Sequence, residues 1–412
     1  MLERWNRDTR LIVAARGLRS FSYGLLSVLL GVALSNAGFS PAAIGALLTV
    51  SLAGDFVSTY LVGVMADAWG RRRTLIGLAL LMAATGAVFG LSHNYPLLIA
   101  AGFFGTLGVS ASETAPFLPL EQAMLAEIGD ASRRTERFAH YNLVASVCLA
   151  LGALTAGLPD VLVHLGIARG DGIRLMFGLY VLAALLVSIV VTRLGQEVEP
   201  SAMKARPSLP WKARMLPALG SSRRIILTLS ALLSLDAFAG GLIVQSLMAL
   251  YFHLRFGVSL GSLAVLFLGA NTFSALSYLA AVPLARRFGL LNTMVFTHLP
   301  SNILLACIPL LPSFPLAALL LLVRQSLSQM DVPTRQAYTM ELVRPEERTA
   351  AASVTSLARS AGSAGSPVLG GMLLQGPLLA LGLPFVACGL LKIVYDLTLW
   401  SIFKRVPVPE QR

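Results

Sequence analysis

Charge is scarce in this chain. Of its 412 residues only 13% are Asp, Glu, Lys or Arg, about half the share that a soluble domain carries, so a water-exposed globule of this size is excluded. Cysteine is nearly missing, and Cys148, Cys307 and Cys388 all fall inside apolar stretches, which leaves no disulfide framework. No G-x-x-x-x-G-K-[ST] segment occurs, which removes ATP-driven transport by this chain. Neither H-E-x-x-H nor G-x-S-x-G is present and the five histidines are scattered, so a hydrolase reading has no constellation behind it. No enzyme activity, cofactor or metal is expected. The short alternating stretches of a transmembrane barrel are absent too.

What is present is apolar length. Hydrophobic residues make up 56% of the chain and the mean hydropathy is +0.75. Stretches of about 20 apolar residues, enough to cross a hydrocarbon core as helix, recur from end to end. Pro, Gly and charge punctuation divides them into twelve: 11–34, 42–63, 74–92, 96–117, 138–158, 173–193, 225–251, 260–282, 291–310, 315–332, 349–374 and 384–403. An even count puts both termini on one side. The fold class expected is therefore an all-α membrane protein.

Assigning the termini and every second loop to one face gathers 23 of the 32 Lys and Arg residues there, against Arg169 and Arg255 on the other. The positive-inside rule makes that face cytoplasmic. The formal charge of +12 is then a topology signal and a preference for anionic lipid; no nucleic acid is implied. A basic N-terminus before a long apolar run, without a small-residue cleavage site, is not read as a cleaved signal peptide. A multi-pass protein of the cell inner (plasma) membrane is expected.

The chain also repeats itself. Residues 195–224, rich in Pro and bases, form the only long polar interruption, and they separate six stretches (1–194) from six (225–412). At an offset of 214, "PLEQAMLAEIGDASRRT" (119–135) aligns without a gap on "PTRQAYTMELVRPEERT" (333–349), both placed on the loop after the fourth helix of their half. Between the second and third stretches lies "GVMADAWGRRRTL" (63–75), with Gly63, Asp67, Gly70 and Arg71, and "LARRFGLLNTM" (284–294) is its fainter echo at an offset of 219. Glycines suit a tight turn and the arginines an inside-positive anchor.

Two six-helix repeats with G-x-x-x-D-x-x-G-R-R-R in this turn resemble the major facilitator superfamily, although Ala68 stands where that family usually has a base. The resemblance implies 12 transmembrane helices in two pseudo-symmetric bundles and secondary active transport by alternating access. It further implies that Asp67 docks on the N-terminus of the eleventh helix, near Thr349 and Ala350, closing the inner gate. "GSPVLGG" (365–371) is similar to a Gly-Pro element of drug–proton antiporters, but it falls in the eleventh stretch rather than the fifth, where a kink and close packing explain it.

Charges inside the stretches are costly in lipid and face cavities or partners. Arg19, Asp55 and Glu113 are expected within one to two turns of the cytoplasmic ends, where the balance between burial and Arg19 sets whether Asp55 holds a proton. Asp236, Arg324 and Arg359 count to the midplane and are expected to line the substrate cavity, while Lys392 and Asp396 read as an i,i+4 pair. The favoured reading is proton-coupled efflux of drugs or metabolites, with an organic-anion permease kept open by the arginines. A sensor or assembly scaffold that no longer transports is the reading from another class. A small molecule, protons and the bilayer are the expected partners of a monomer.

Overall fold

Two features of the backbone explain most of the architecture: where the helices break, and where glycines let them touch. The computed structural model describes residues 5–108, 116–128, 134–199, 220, 222–344 and 347–406. Its helices are α1 (Arg7–Asn36), α2 (Pro41–Trp69), α3 (Arg71–Leu91), α4 (Tyr95–Phe104), α5 (Phe117–Glu127), α6 (Arg134–Thr155), α7 (Leu158–His164), α8 (Arg169–Thr192), α9 (Arg223–Gly241), α10 (Gln245–Phe256), α11 (Leu260–Phe288), α12 (Leu290–Cys307), α13 (Phe314–Ser328), α14 (Asp331–Glu341), α15 (Arg348–Ala364), α16 (Pro367–Met372), α17 (Pro377–Leu381) and α18 (Leu383–Phe403). Among the described residues there is no strand.

Among the described residues, nine helical stretches are long and apolar enough to cross a membrane. The fourth, tenth and eleventh expected stretches fall on shorter pieces, because each is interrupted. The fourth ends at Gly105 and turns through Gly108 at φ +62°, where the Tyr23 ring fills the space a side chain would need. The eleventh breaks at Gly365-Ser366-Pro367, since proline supplies no N–H to the preceding turn.

Two segments read as loops are helices instead. The polar runs after the fourth and tenth stretches are α5 and α14, short pieces that turn Glu121 and Arg335 toward other helices. Their limits lie 214 residues apart at both ends, so the repeat seen in sequence is a repeat of structure. The second register holds as well: Gly70 at φ +95° separates α2 from α3, and Gly289 at φ +84° separates α11 from α12.

Within each bundle a pair of helices crosses at bare backbone. Gly24 of α1 meets the Leu149 carbonyl of α6, and Gly152 of α6 meets that of Phe21. In the other bundle Gly362 meets the Ser234 carbonyl and Gly370 that of Leu242, so α15 and α16 lie on α9 as α6 lies on α1.

The bundles touch each other at the end away from the termini. Gln245 Nε2 donates to Ser27 Oγ at 2.9 Å, Val368 N to Thr49 Oγ1 at 2.9 Å and Gly261 N to Asp160 Oδ2 at 2.6 Å. Gly45 and Gly371 admit Pro367 and Pro41 backbone between them, so the "GSPVLGG" segment serves close packing. One apolar core, from Tyr23 and Leu52 to Leu250 and Phe385, runs through both bundles at this end. Toward the termini the core divides in two, one around Phe117 and Tyr141 and one around Leu229 and Tyr395. Among the described residues the bundles share one core at the distal end and keep separate cores at the terminus-bearing end, so the molecule is closed distally and parted there.

Candidate functional site

In the first bundle the buried charges do not pair as the sequence suggested. Arg19 is expected beside Asp55, but its guanidinium is taken by Glu121 of α5, Nη2 to Oε2 at 2.7 Å with a second contact from Nη1 to Oε1. Tyr141 of α6 donates to the same carboxylate at 2.5 Å, and Arg19 Cζ lies 4.4 Å from the Phe117 ring centre. A planar fork matched to a carboxylate is the favoured geometry for such a pair. Asp55 lies deeper than one to two turns, because α2 runs on to Trp69 and leaves about 21 Å of helix between them at 1.5 Å per residue. It is buried and its Oδ1 has no hydrogen-bond partner among the described residues. Glu113 lies outside the described residues.

The second bundle gathers its charges around Asp236 of α9. Lys392 Nζ of α18 is 2.5 Å from Oδ1, Arg359 Nη1 of α15 is 3.4 Å from Oδ2, and Arg335 Nη1 of α14 is 3.9 Å from it. Arg335 is held first by Asp331, at 2.6 Å. Lys392 therefore does not pair with Asp396: that carboxylate is bound by His298 at 2.9 Å and by Asn302 Nδ2 at 2.9 Å, both on α12. Arg324 of α13 gives Nη1 to Gln325 at 2.6 Å and leaves Nε buried without a partner. The expected grouping of Asp236 with Arg359 is present. Arg324 makes no carboxylate contact among the described residues, although it lies within electrostatic reach of Asp236 and Asp331.

The two bundles carry the same device with the charges exchanged. Arg19 and Asp236 follow the starts of α1 and α9 by 12 and 13 residues, and Glu121 and Arg335 are repeat equivalents on α5 and α14. A base on α1 facing an acid on α5 becomes an acid on α9 with a base on α14, here 3.9 Å away.

At the terminus-bearing end an acid does sit on a helix N-terminus, though on α3. Glu199 accepts from Arg71 N at 2.8 Å and Arg72 N at 3.1 Å, across the turn at Gly70. Unpaired N–H groups there favour a carboxylate. Arg72 Nη1 donates to Leu194 O at 2.9 Å, and Asp8 accepts from Gly195 N at 3.1 Å. Residues 194–199 are thus strapped to the first bundle. Arg71 is buried, whereas Gly63 meets nothing within 4 Å and allows no close helix approach. The Asp67 side chain lies outside the described residues, as do those of Thr349 and Ala350.

A family model described as Major Facilitator Superfamily matches residues 12–367. The chain belongs to the major facilitator superfamily. It is 28% identical over 424 residues to the "Uncharacterized membrane protein YJR124C" of Saccharomyces cerevisiae, covering 97% of this chain and 94% of that one. The superfamily fold is also that of the nucleoside transporter NupG, with TM-score 0.76, 12% identity, and coverage of 97% of this chain and 100% of that one. A D-xylose-proton symporter matches with TM-score 0.73 and 14% identity over 98% of each chain. Membership makes this a multi-pass membrane transporter, a class that carries small molecules and is generally non-enzymatic.

Sequence reasoning missed Glu121, Arg335, His298 and Asn302. The first two were assigned to loops, yet the 214-residue alignment set an acid against a base at that column. His298 and Asn302 form an i,i+4 polar pair inside an apolar stretch, which was signal enough.

Proposed function

We propose that this superfamily member is a proton-coupled secondary transporter with Asp55 as its coupling carboxylate, a twelve-span protein of the cell inner membrane with both termini cytoplasmic. The 195–224 linker joins bundles 1–194 and 225–412, and the cargo, a small organic molecule, is exported by alternating access. The observation that carries the coupling is the unpartnered, buried Oδ1 of Asp55. An acid retained to pin helices together has a partner, as Glu121 does. One without a partner costs stability in lipid and is kept for what it does. The same contrast weighs against a non-transporting sensor or scaffold. With Arg19 committed to Glu121, no cation among the described residues pairs with Asp55, so a change of its hydration as the bundles rock is what would move a proton on and off it.

The excess of arginine and lysine around Asp236 favours an organic anion as the cargo over a lipophilic cation. A thermal-shift screen of the purified protein against both classes supplies the test molecule. In proteoliposomes Asp55→Asn is expected to abolish accumulation driven by a proton gradient while leaving downhill exchange within about twofold of wild type, since only the charged state is removed. Uphill transport with unchanged pH dependence in that variant would assign coupling elsewhere.

A further inference from the structure

The second bundle holds more positive than negative charge at mid-depth. Arg324, Arg335, Arg359 and Lys392 stand on four different helices around two acids, Asp236 and Asp331. Asp396 makes no direct contact with them, because His298 and Asn302 take both its oxygens, and even with it counted the cations outnumber the acids. Asp236 and Arg359 lie about 20 and 17 Å along their helices from the terminus-bearing ends at Arg223 and Arg348, and Arg324 and Lys392 about 15 and 14 Å from the distal ends at Phe314 and Leu383, so the cluster sits near the centre of the bilayer. The four cations are not held equally. Arg335 has its own partner at 2.6 Å, while Lys392 and Arg359 have only Asp236 as a carboxylate within 4.0 Å among the described residues. Arg359 keeps 33% of its side chain exposed, and a partly exposed arginine at that depth faces a cavity rather than lipid.

We infer that Asp236 stands in for the acidic group of an organic anion: the cargo's carboxylate or phosphate binds Arg359, Lys392 and Arg324, displacing Asp236 from the first two. This rests on the reading of the chain as a carrier and names the cargo's chemistry. Lys392 and Arg359 approach Asp236 from separate helices, so an anion with two oxygens could bridge them as the Asp236 carboxylate does. Arg324, with a free Nε, supplies a further donor. No bond is made or broken and no proton need move, because the displaced carboxylate remains beside Arg335. An internal stand-in keeps the empty site from carrying bare cations, which would be costly at mid-membrane. It also sets the affinity, since the cargo competes with a carboxylate that is always present.

The competition gives a sign that a helix-pinning role does not. The test uses the full-length protein in detergent, with acetate, benzoate, succinate and inorganic phosphate as probes and acetamide and benzamide as uncharged counterparts, and reads thermal stabilisation against concentration. At least one anion, and neither amide, is expected to stabilise wild type. Lys392→Met and Arg359→Met should weaken that response at least about tenfold, the effect of losing one charge-assisted contact. Asp236→Asn should strengthen it by at least about threefold through loss of the competitor. If Asp236→Asn does not yield folded protein, Arg359→Met decides, because it leaves the Lys392–Asp236 pair in place. No anion binding, an unchanged response in both cation variants, or stabilisation by tetraphenylphosphonium instead would overturn the inference. Loss of gradient-driven transport in those proteins is read separately. A carrier that binds only uncharged probes keeps the transporter reading and loses this one.

Discussion

Arg19 has no exposed surface, and the acid that faces it, Glu121, is 2% exposed at its side chain. Two charges removed from water inside the bundle recover their hydration cost only if they are matched to one another, and the paired contacts supplemented by Tyr141 meet that condition. The pair is a pin between α1, α5 and α6. Removing one member leaves the other bare: Glu121→Gln is expected to lower stability by about 3–5 kcal/mol, seen as a large fall in the detergent unfolding temperature. Arg19→Met with Glu121→Leu should recover most of that loss, since an apolar pair carries no desolvation cost. A single variant as stable as wild type would show that the pair contributes little. This pin was only half legible. Arg19 stood out as a charge in an apolar run, but its partner lay in a segment whose polar composition reads as a loop.

Helix breaks decide what the sequence can show at the next scale. Unbroken stretches such as α1 and α8 are legible as long apolar runs, and helix caps such as Ser40 before α2 and Asn94 before α4 follow local chemistry. α5 and α14 are short, and neighbouring helices hold them in place, so only the internal repeat pointed to them. Glycine contacts between helices are equally invisible without a partner to name. Gly45 is one such site: any Cβ there meets the Pro367 carbonyl across the bundle interface. Gly45→Val should therefore weaken closure of the distal end. Spin labels at Ala37 and Gln375, exposed residues of the two bundles on that side, should move apart by several Å relative to wild type in a fraction of molecules. An identical distance distribution would mean that the interface yields without opening.

For the molecule as a whole, the common apolar core at one end and the two separate cores at the other describe one of two states that rocking bundles would exchange. Which compartment the parted end faces depends on the orientation of the termini. The basic segments give the expected answer. Arg71, Arg72 and Arg73 open α3 at the terminus-bearing end, Arg286 and Arg287 close α11 at the same end, and the distal helix ends carry Arg169, Arg174 and Arg255. Short loops rich in Lys and Arg are retained in the cytoplasm during insertion. The strap formed by Asp8, Leu194 and Glu199 ties the start of the linker to the same end as the N-terminus; linker and N-terminus must therefore share a compartment whatever its identity. Reporter fusions after Gln196 and after Arg412 are accordingly expected to be active only with a reporter that works in the cytoplasm, making the parted state cytoplasm-facing. Activity of an extracytoplasmic reporter at both points would invert the whole assignment while leaving the fold untouched. Activity at one alone would break the even span count on which two equivalent bundles depend.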